Sequence, residues 1–446
     1  MRDGFRWGVS TSAYQIEGAV RDGGRGVSTW DTFSHEPDRV VDGSTGDVAC
    51  DHYHRYAEDV ALMAGLGVNA YRFSIAWPRI QPNGAGAANP EGIAFYDRLV
   101  DALLDAGIDP VATLFHWDLP QTLQDGGGWA DRETAQRFAD YADLVGEALG
   151  DRVRLWITLN EPVIHLIFGH LWGLHAPGLH RFDDPFPIVH HQLLAHGLAA
   201  RALRRHGPVA IANNYSPAWA LGADGRRESA SDADRTAAEA YSVLQNWLFT
   251  DPLLRGAYPP GVEALPGAAA LDTLVRDGDL ATISAPLDAL GVNYYNPTGV
   301  GAPSPDTPLP FDIRLIEGYA RTYFGWPVVP DGLRETLVAL RDRYGDALPP
   351  IHITESGCAY EDVPDGDGSI VDSERIAYHD GHLAAVAQAI DSGVAVDGYY
   401  AWSLMDNFEW AEGFTKRFGL VHVDFATQAR TPKASYHWYR ERIARG

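Results

Sequence analysis

Cysteine is nearly absent. Cys50 and Cys358 are the only two in 446 residues, too few for a disulfide framework and in keeping with a reduced compartment. Long apolar runs are missing too. The opening Met1-Arg2-Asp3-Gly4-Phe5-Arg6-Trp7-Gly8 contains no apolar stretch of signal-peptide length, and no later segment is apolar over a bilayer's thickness. A cytoplasmic protein that does not engage membranes is the simplest expectation, although a chain already trimmed of a leader would read the same. Basic residues are in deficit, 35 against 60 acidic ones, for a formal charge of −25. That field repels nucleic acid and anionic lipid, and it disfavours phosphorylated ligands unless a local basic pocket exists. Its plainest consequence is solubility. No Gly-x-Gly-x-x-Gly follows the first apolar run, which argues against an open dinucleotide-binding sheet. There is no internal repeat, and no linker long enough to split the chain.

What is present is a large apolar fraction, 46%, with thirteen Trp and twenty Tyr. Most of these rings can fill a core, but flat aromatic faces also suit sugar rings. Eight near-continuous apolar runs read as strands buried on both faces: 5–10, 70–77, 110–117, 154–160, 209–215, 289–295, 351–355 and 396–404. Amphipathic helical patterns lie between them at 53–66, 94–106, 132–149, 188–206, 333–344 and 374–392, several closed by glycine, as at Gly67 and Gly345. The long interval between the fifth and sixth strands has room for extra helices. Stretches rich in Pro and Gly at 81–90 and 302–310 read as surface loops. This alternation predicts an α/β fold: a single (β/α)₈ barrel over residues 1–446, with long βα loops and its active site at the C-terminal ends of the strands.

Polar and aromatic residues gather at those ends. The first strand leads into Tyr14-Gln15-Ile16-Glu17, the second holds Arg72, and the third ends in His116-Trp117-Asp118. The fourth ends in Asn160-Glu161-Pro162, the fifth holds Asn213-Asn214, and the sixth ends in Asn293-Tyr294-Tyr295. The seventh ends in Glu355-Ser356-Gly357, and the eighth holds Trp402 before Asn407-Phe408-Glu409-Trp410. Amides and carboxylates offer paired donors and acceptors for hydroxyl groups. Glu161 and Glu355 each put a charge at the end of an apolar strand. Two carboxyls across one barrel mouth suit glycoside hydrolysis, which needs a protonated acid at the leaving oxygen and an ionised carboxylate at the sugar carbon.

Six stretches in order resemble glycoside hydrolase family 1, the β-glucosidases and their relatives. They are Phe5-Arg6-Trp7-Gly8 through Tyr14-Gln15-Ile16-Glu17-Gly18, Tyr71-Arg72-Phe73-Ser74-Ile75-Ala76-Trp77, Thr158-Leu159-Asn160-Glu161-Pro162, Asn293-Tyr294-Tyr295, Ile353-Thr354-Glu355-Ser356-Gly357, and Trp402 through Trp410. The resemblance covers essentially the whole chain. It implies a retaining enzyme that cleaves β-glucosides and short β-linked oligosaccharides, with Glu161 as acid/base and Glu355 as nucleophile. The two carboxyls would lie about 5–5.5 Å apart. It implies that Arg72 and Tyr295 keep Glu355 ionised. It implies a glycone pocket of Gln15, His116, Trp117, Asn160, Asn293, Trp402, Glu409 and Trp410, with Trp326 as an aglycone platform. An ionised Glu409 would repel a 6-phosphate. No cofactor and no metal are called for; the partner is a small β-glycoside, and the sequence leaves self-association open.

Two positions depart from the family pattern. Ser356 stands where Asn is common after the nucleophile, which implies a changed hydrogen bond behind the site. Val163 stands where several members carry Trp, which implies a more open aglycone side. Rival readings are a 6-phospho-β-glycosidase, a broad β-galactosidase or β-fucosidase, an inactive sugar-binding relative, and a metal-dependent hydrolase using His52-x-His54 or His190-His191. The two histidine pairs fall in helical stretches, away from the strand ends.

Overall fold

The computed structural model describes residues 4–446. Eight parallel strands close a barrel: β1 (Arg6–Ser10), β2 (Ala70–Ser74), β3 (Asp109–Phe115), β4 (Leu155–Asn160), β5 (Val209–Asn214), β6 (Ala289–Asn293), β7 (Ile351–Ser356) and β8 (Val396–Trp402). Each pairs with its neighbours in sequence, and β8 returns to β1 from Arg6 opposite Gly398 to Ser10 opposite Trp402. All eight expected strands are therefore in the barrel.

Alternate side chains decide the two layers, because successive residues of a strand face opposite sides. Ala70, Val111, Leu155, Ile157, Ala210, Ala212, Ala289 and Tyr400 meet as a small cluster of their own. Their strand neighbours Tyr71, Ala112, Trp156, Ile211, Leu290 and Tyr399 join the large outer cluster instead. The helices that cover the barrel include His52–Leu66, Pro90–Asp105, Glu133–Leu149, Phe186–Leu203, Pro330–Tyr344, Ser373–Asp391 and Ala434–Arg445. Gly67 ends the first of these in the left-handed region, φ 83°, and its N–H bonds back to Met63 and Ala64. Between β5 and β6 lie the additional helices Asp232–Ser242, Asp251–Arg255, Leu271–Leu274 and Asp279–Ile283.

Most differences from the sequence reading fall at the C-terminal strand ends. The second, third, sixth and eighth strands stop two or three residues before the expected points. Trp77 opens a short helical turn, with Pro78 at its start, and Trp117 takes a positive φ of 76° that extended backbone cannot hold. Pairing also loses register between Ile157 and Asn160 on β4 and between Ile353 and Glu355 on β7. The strands break where their polar residues leave the ladder to face a cavity. Two small sheets were not foreseen. Ala218–Ala220, Thr298–Gly301 and Asp312–Arg314 form one, and Val421–Asp424 pairs with Ala429–Pro432 in the other.

Candidate active site

A cavity of about 1290 Å³ opens at the C-terminal end of the barrel. Its lining includes Glu161, Glu355, His116, Trp117, Tyr295, Trp402, Glu409, Trp410 and Trp326. Four more expected residues sit one layer behind, and each is hydrogen-bonded to a residue of the lining. Gln15 Nε2 donates to Glu409 Oε2 at 3.2 Å, and Arg72 Nη1 to Glu355 Oε1 at 2.6 Å. Asn160 Nδ2 meets His116 Nε2 at 2.9 Å, and Asn293 Nδ2 donates to Glu161 Oε1 at 2.8 Å. Every sequence-derived candidate thus lies in one assembly.

Arg72 sets the direction of this network because a guanidinium can only donate. Its second terminal nitrogen donates to Asn160 Oδ1 at 2.6 Å, so the Asn160 amide must turn its N–H₂ toward His116. His116 therefore accepts at Nε2. Burial, helped by the charge of Arg72, holds His116 well below its ordinary pKa. A neutral ring with Nε2 accepting carries its proton on Nδ1, and that buried nitrogen has no partner among the described residues. It is a donor available to a ligand. Asn293 is oriented in the same way: Thr354 donates to its Oδ1 at 2.6 Å, which leaves its N–H₂ for Asn160 and Glu161.

The two glutamates have different surroundings. Glu355 is held on both oxygens, by Arg72 and by the Tyr295 hydroxyl at 2.7 Å. Burial pushes its pKa up, and Arg72 and Tyr295 oppose that push. Tyr295 is kept protonated, mainly by burial and then by the charge of Glu355. Among the described residues, no cation is bonded to Glu161. It takes N–H bonds from Asn214 at 2.9 Å and Asn293 at 2.8 Å, both on Oε1. Burial first and the charge of Glu355 second push its pKa up to about 8. At neutral pH this pair can hold one proton on Glu161 and one charge on Glu355.

The backbone at Glu161 is also unusual. Its φ of 45° and ψ of 57° lie in the left-handed region, where a side chain is strained by about 1–3 kcal/mol. Its N–H bonds to Ala212 at 2.7 Å and its carbonyl accepts from Ile164 and His165. Those bonds hold the turn that delivers the carboxyl into the cavity. Trp117 and Trp410, also in the lining, share positive φ values of 76° and 50°.

Aromatic rings complete the walls. Trp402 stacks beside His116 at 5.8 Å between ring centroids, and Trp410 lies 4.7 Å from Trp117. Trp326 stacks on Phe324 at 4.4 Å, next to Tyr295. Further out the wall is apolar, with Ile164, Ile167 and Phe168 in the lining.

Three positions have surroundings that the sequence did not give. Val163 is buried in the core and is not part of the lining, which Ile164, Ile167 and Phe168 join from the same stretch. Burial and then the charge of Glu355 push Glu409 up to about 8, so the expected fixed negative charge at that edge is weakened by protonation near neutral pH. Ser356 lies 3.5 Å from the Tyr378 hydroxyl, which itself donates to the Tyr295 carbonyl at 3.3 Å, and it also interacts with the Tyr399 hydroxyl.

The histidine pairs have other partners. His52 bonds to Asp59 at 2.7 Å, and His190 bonds to Asp279 and Tyr258, both at 2.9 Å. Among the described residues, the acid and histidine group with metal-like spacing is Asp143, Glu147 and His206 on the surface. Arg205 already bridges both of its acids. No helix of the described residues is long and apolar enough to cross a membrane.

Sequence reasoning passed over Asn214 and Gln245. Asn214 stood among the polar strand ends without a role. Gln245 lies on a helical segment whose place over the barrel nothing local announces.

Comparison with known proteins places these observations. The model of glycosyl hydrolase family 1 matches residues 1–446. A curated thermostable β-glucosidase B of Thermobispora bispora is 50% identical over 99% of this chain and 90% of its own length. A bifunctional β-D-glucosidase/β-D-fucosidase of Bifidobacterium breve is 44% identical over 99% of this chain and 97% of its own. Among solved structures, a β-glucosidase from Thermotoga maritima in complex with glucoimidazole superposes with a TM-score of 0.92 at 41% identity, covering 100% of this chain and 98% of that one.

Proposed function

The chain belongs to glycosyl hydrolase family 1, and we propose that it is a β-glucosidase in which Glu355 attacks the anomeric carbon while Glu161 protonates the leaving oxygen. In the first step the Glu355 carboxylate forms a bond to C1, the C1–O bond breaks, and the proton of Glu161 passes to the departing alcohol. A covalent glycosyl-enzyme results. Its formation removes the charge on Glu355, one of the causes that hold the Glu161 pKa up. That pKa then falls, and Glu161 can take a proton from water as the water displaces Glu355 from C1. Two displacements at one carbon retain the anomeric configuration.

The observation that carries this reading is the unequal environment of two buried carboxyls in one cavity. Glu355 is bonded to Arg72 and Tyr295, while Glu161 is bonded only to neutral amides. His116, Glu409, Trp402 and Trp410 supply donors, an acceptor and flat faces for the glucosyl ring. Gln15, Asn160 and Asn293 act from behind them, and Trp326 faces the leaving group. A cavity of about 1290 Å³ exceeds one sugar ring, which suits disaccharides and aryl glucosides. The relative named for both β-glucosidase and β-fucosidase supports β-fucosides as side substrates. The barrel and its loops act as one catalytic unit. The two buried, unpaired cysteines fit a reducing compartment.

A panel of nitrophenyl β-glycosides, with NMR detection of the first-formed anomer, tests the reading. Cleavage of the β-glucoside with a β-anomer product is expected. An α-anomer product would overturn both glutamate assignments.

A further inference from the structure

We propose that Gln245 is a positioning residue that, through Asn214, decides which oxygen of Glu161 carries the transferable proton. This rests on Glu161 being the acid/base. Gln245 Nε2 donates to Asn214 Oδ1 at 2.8 Å, and Asn214 Nδ2 donates to Glu161 Oε1 at 2.9 Å. A primary amide with a donor on its oxygen can present only its N–H₂ at the other end. Asn214 is therefore locked as a donor. Asn293 is locked the same way by Thr354, and its N–H₂ reaches the same Oε1 at 2.8 Å. An oxygen that accepts two N–H bonds is the carbonyl oxygen of a protonated carboxyl. The proton then resides on Oε2, from which it passes to the glycosidic oxygen.

Gln245 is placed for this by a clamp. It lies in a π-helical turn, Val243–Trp247, and such turns commonly mark functional positions. This turn and Thr250 just after it hold the end of β5 and the two residues that follow it. Thr250 Oγ1 accepts from Asn213 at 3.2 Å and meets the Tyr215 hydroxyl at 2.9 Å. Asn246 takes both backbone groups of Ser216 at 3.0 Å. With those contacts fixed, Gln245 falls opposite the Asn214 side chain. Both Gln245 and Asn214 lie in the cavity lining.

The other ionisable groups facing Glu161 come from four elements: Arg72 on β2, Tyr295 after β6, Glu355 on β7 and Glu409 after β8. His116, just after β3, is buried and neutral. None bonds to Gln245, so its replacement changes Glu161 through Asn214 alone.

The test compares phenyl β-glucoside, whose poor leaving group needs the proton, with 2,4-dinitrophenyl β-glucoside, which does not. Gln245→Met keeps length and removes the donor. We expect kcat/KM for the phenyl substrate to fall about five- to tenfold, with less than about a twofold change for the dinitrophenyl one. The alkaline limb of kcat/KM should move to higher pH, because an N–H bond that favours the ionised form is weakened. Gln245→Leu, which also removes the donor without adding charge, should do the same, and it carries the test if the Met variant does not fold. Asn214→Ala should show the same pattern, and adding Gln245→Met to it should change nothing further. Equal losses on both substrates with an unmoved limb, or additive losses in the double variant, would overturn the proposal. Glu161→Gln in the same assays separates the levels: without a leaving-group difference there, Glu161 is not the acid and the underlying reading fails instead.

Discussion

The Arg72 guanidinium meets Glu355 at 2.6 Å, with side chains only 0% and 4% exposed. A buried pair of this kind adds little net stability, yet breaking it from one side is costly. Its value here is to keep a carboxylate ionised in a site whose burial opposes ionisation.

Arg72→Met should therefore lower kcat/KM on nitrophenyl β-glucoside by about 10²–10⁴-fold, in line with about 3–5 kcal/mol for an orphaned buried charge. The acid limb of the profile should shift upward, since the cation that lowers the Glu355 pKa is gone. An acid limb that stays in place would show that Arg72 does not control this ionisation.

Glu355→Ala and Glu161→Ala should fail in different ways. The first should abolish hydrolysis, and azide should restore turnover as an α-glycosyl azide by entering where the carboxylate stood. The second should leave the first step on dinitrophenyl glucoside nearly intact, slow the second step, and give a β-glycosyl azide. Product configuration read by NMR checks both. The same azide anomer from the two variants would mean that the roles are not divided as assigned.

The Glu161 pKa of about 8 has a stability consequence. The folded protein keeps a proton that the unfolded chain releases above its ordinary value of 4.5. Folded molecules bind more protons between those two values, so this group makes stability fall as pH rises through that window. Glu161→Gln removes the effect. The variant should differ little from wild type at pH below 4.5 and be more stable at pH above 8, by a few kcal/mol and at most about 5. Denaturant unfolding across pH measures this, and parallel curves for the two proteins would contradict it.

Glu409 lines the cavity and is bonded to Gln15 at 3.2 Å. Glu409→Ser should reduce kcat/KM for the neutral nitrophenyl glucoside by about 1–3 kcal/mol, the scale of hydrogen bonds lost in a buried site. It should also narrow the gap to the 6-phosphate of the same glucoside. The gap in the wild type should be larger at pH 9 than at pH 6, because Glu409, with a pKa near 8, is then ionised and repels the phosphate. Measuring kcat/KM for both substrates at both pH values decides it; a wild type that favours the phosphate would refute the reading of this loop.

Much of this molecule was legible in one dimension. Apolar runs long enough for strands buried on both faces announced all eight members of the barrel, and the charge after each of two such runs marked Glu161 and Glu355. Strand lengths were overread because apolar composition continues past the last ladder bond; Trp117 is apolar, yet its positive φ takes it out of the strand. The direction of the Val163 side chain was not legible either. Sequence places it beside Glu161 but does not tell which way the turn points it, and the helical turn buries it while Ile164 and Ile167 face the cavity.

The sequence by itself determined which residues stand at the mouth of the barrel, because strand periodicity and strand order are local properties of the chain. Only the tertiary structure decided which of them hold one another and in which direction. Gln245 meets Asn214 from 31 residues away, and Asn214 meets Glu161 from 53. Barrel closure and the packing of a π-helical turn bring these groups within hydrogen-bond reach. The orientation of each amide follows from donors such as Arg72 and Thr354 on other strands. A hydrogen bond depends on distance and direction in three dimensions, and no spacing along the chain encodes either.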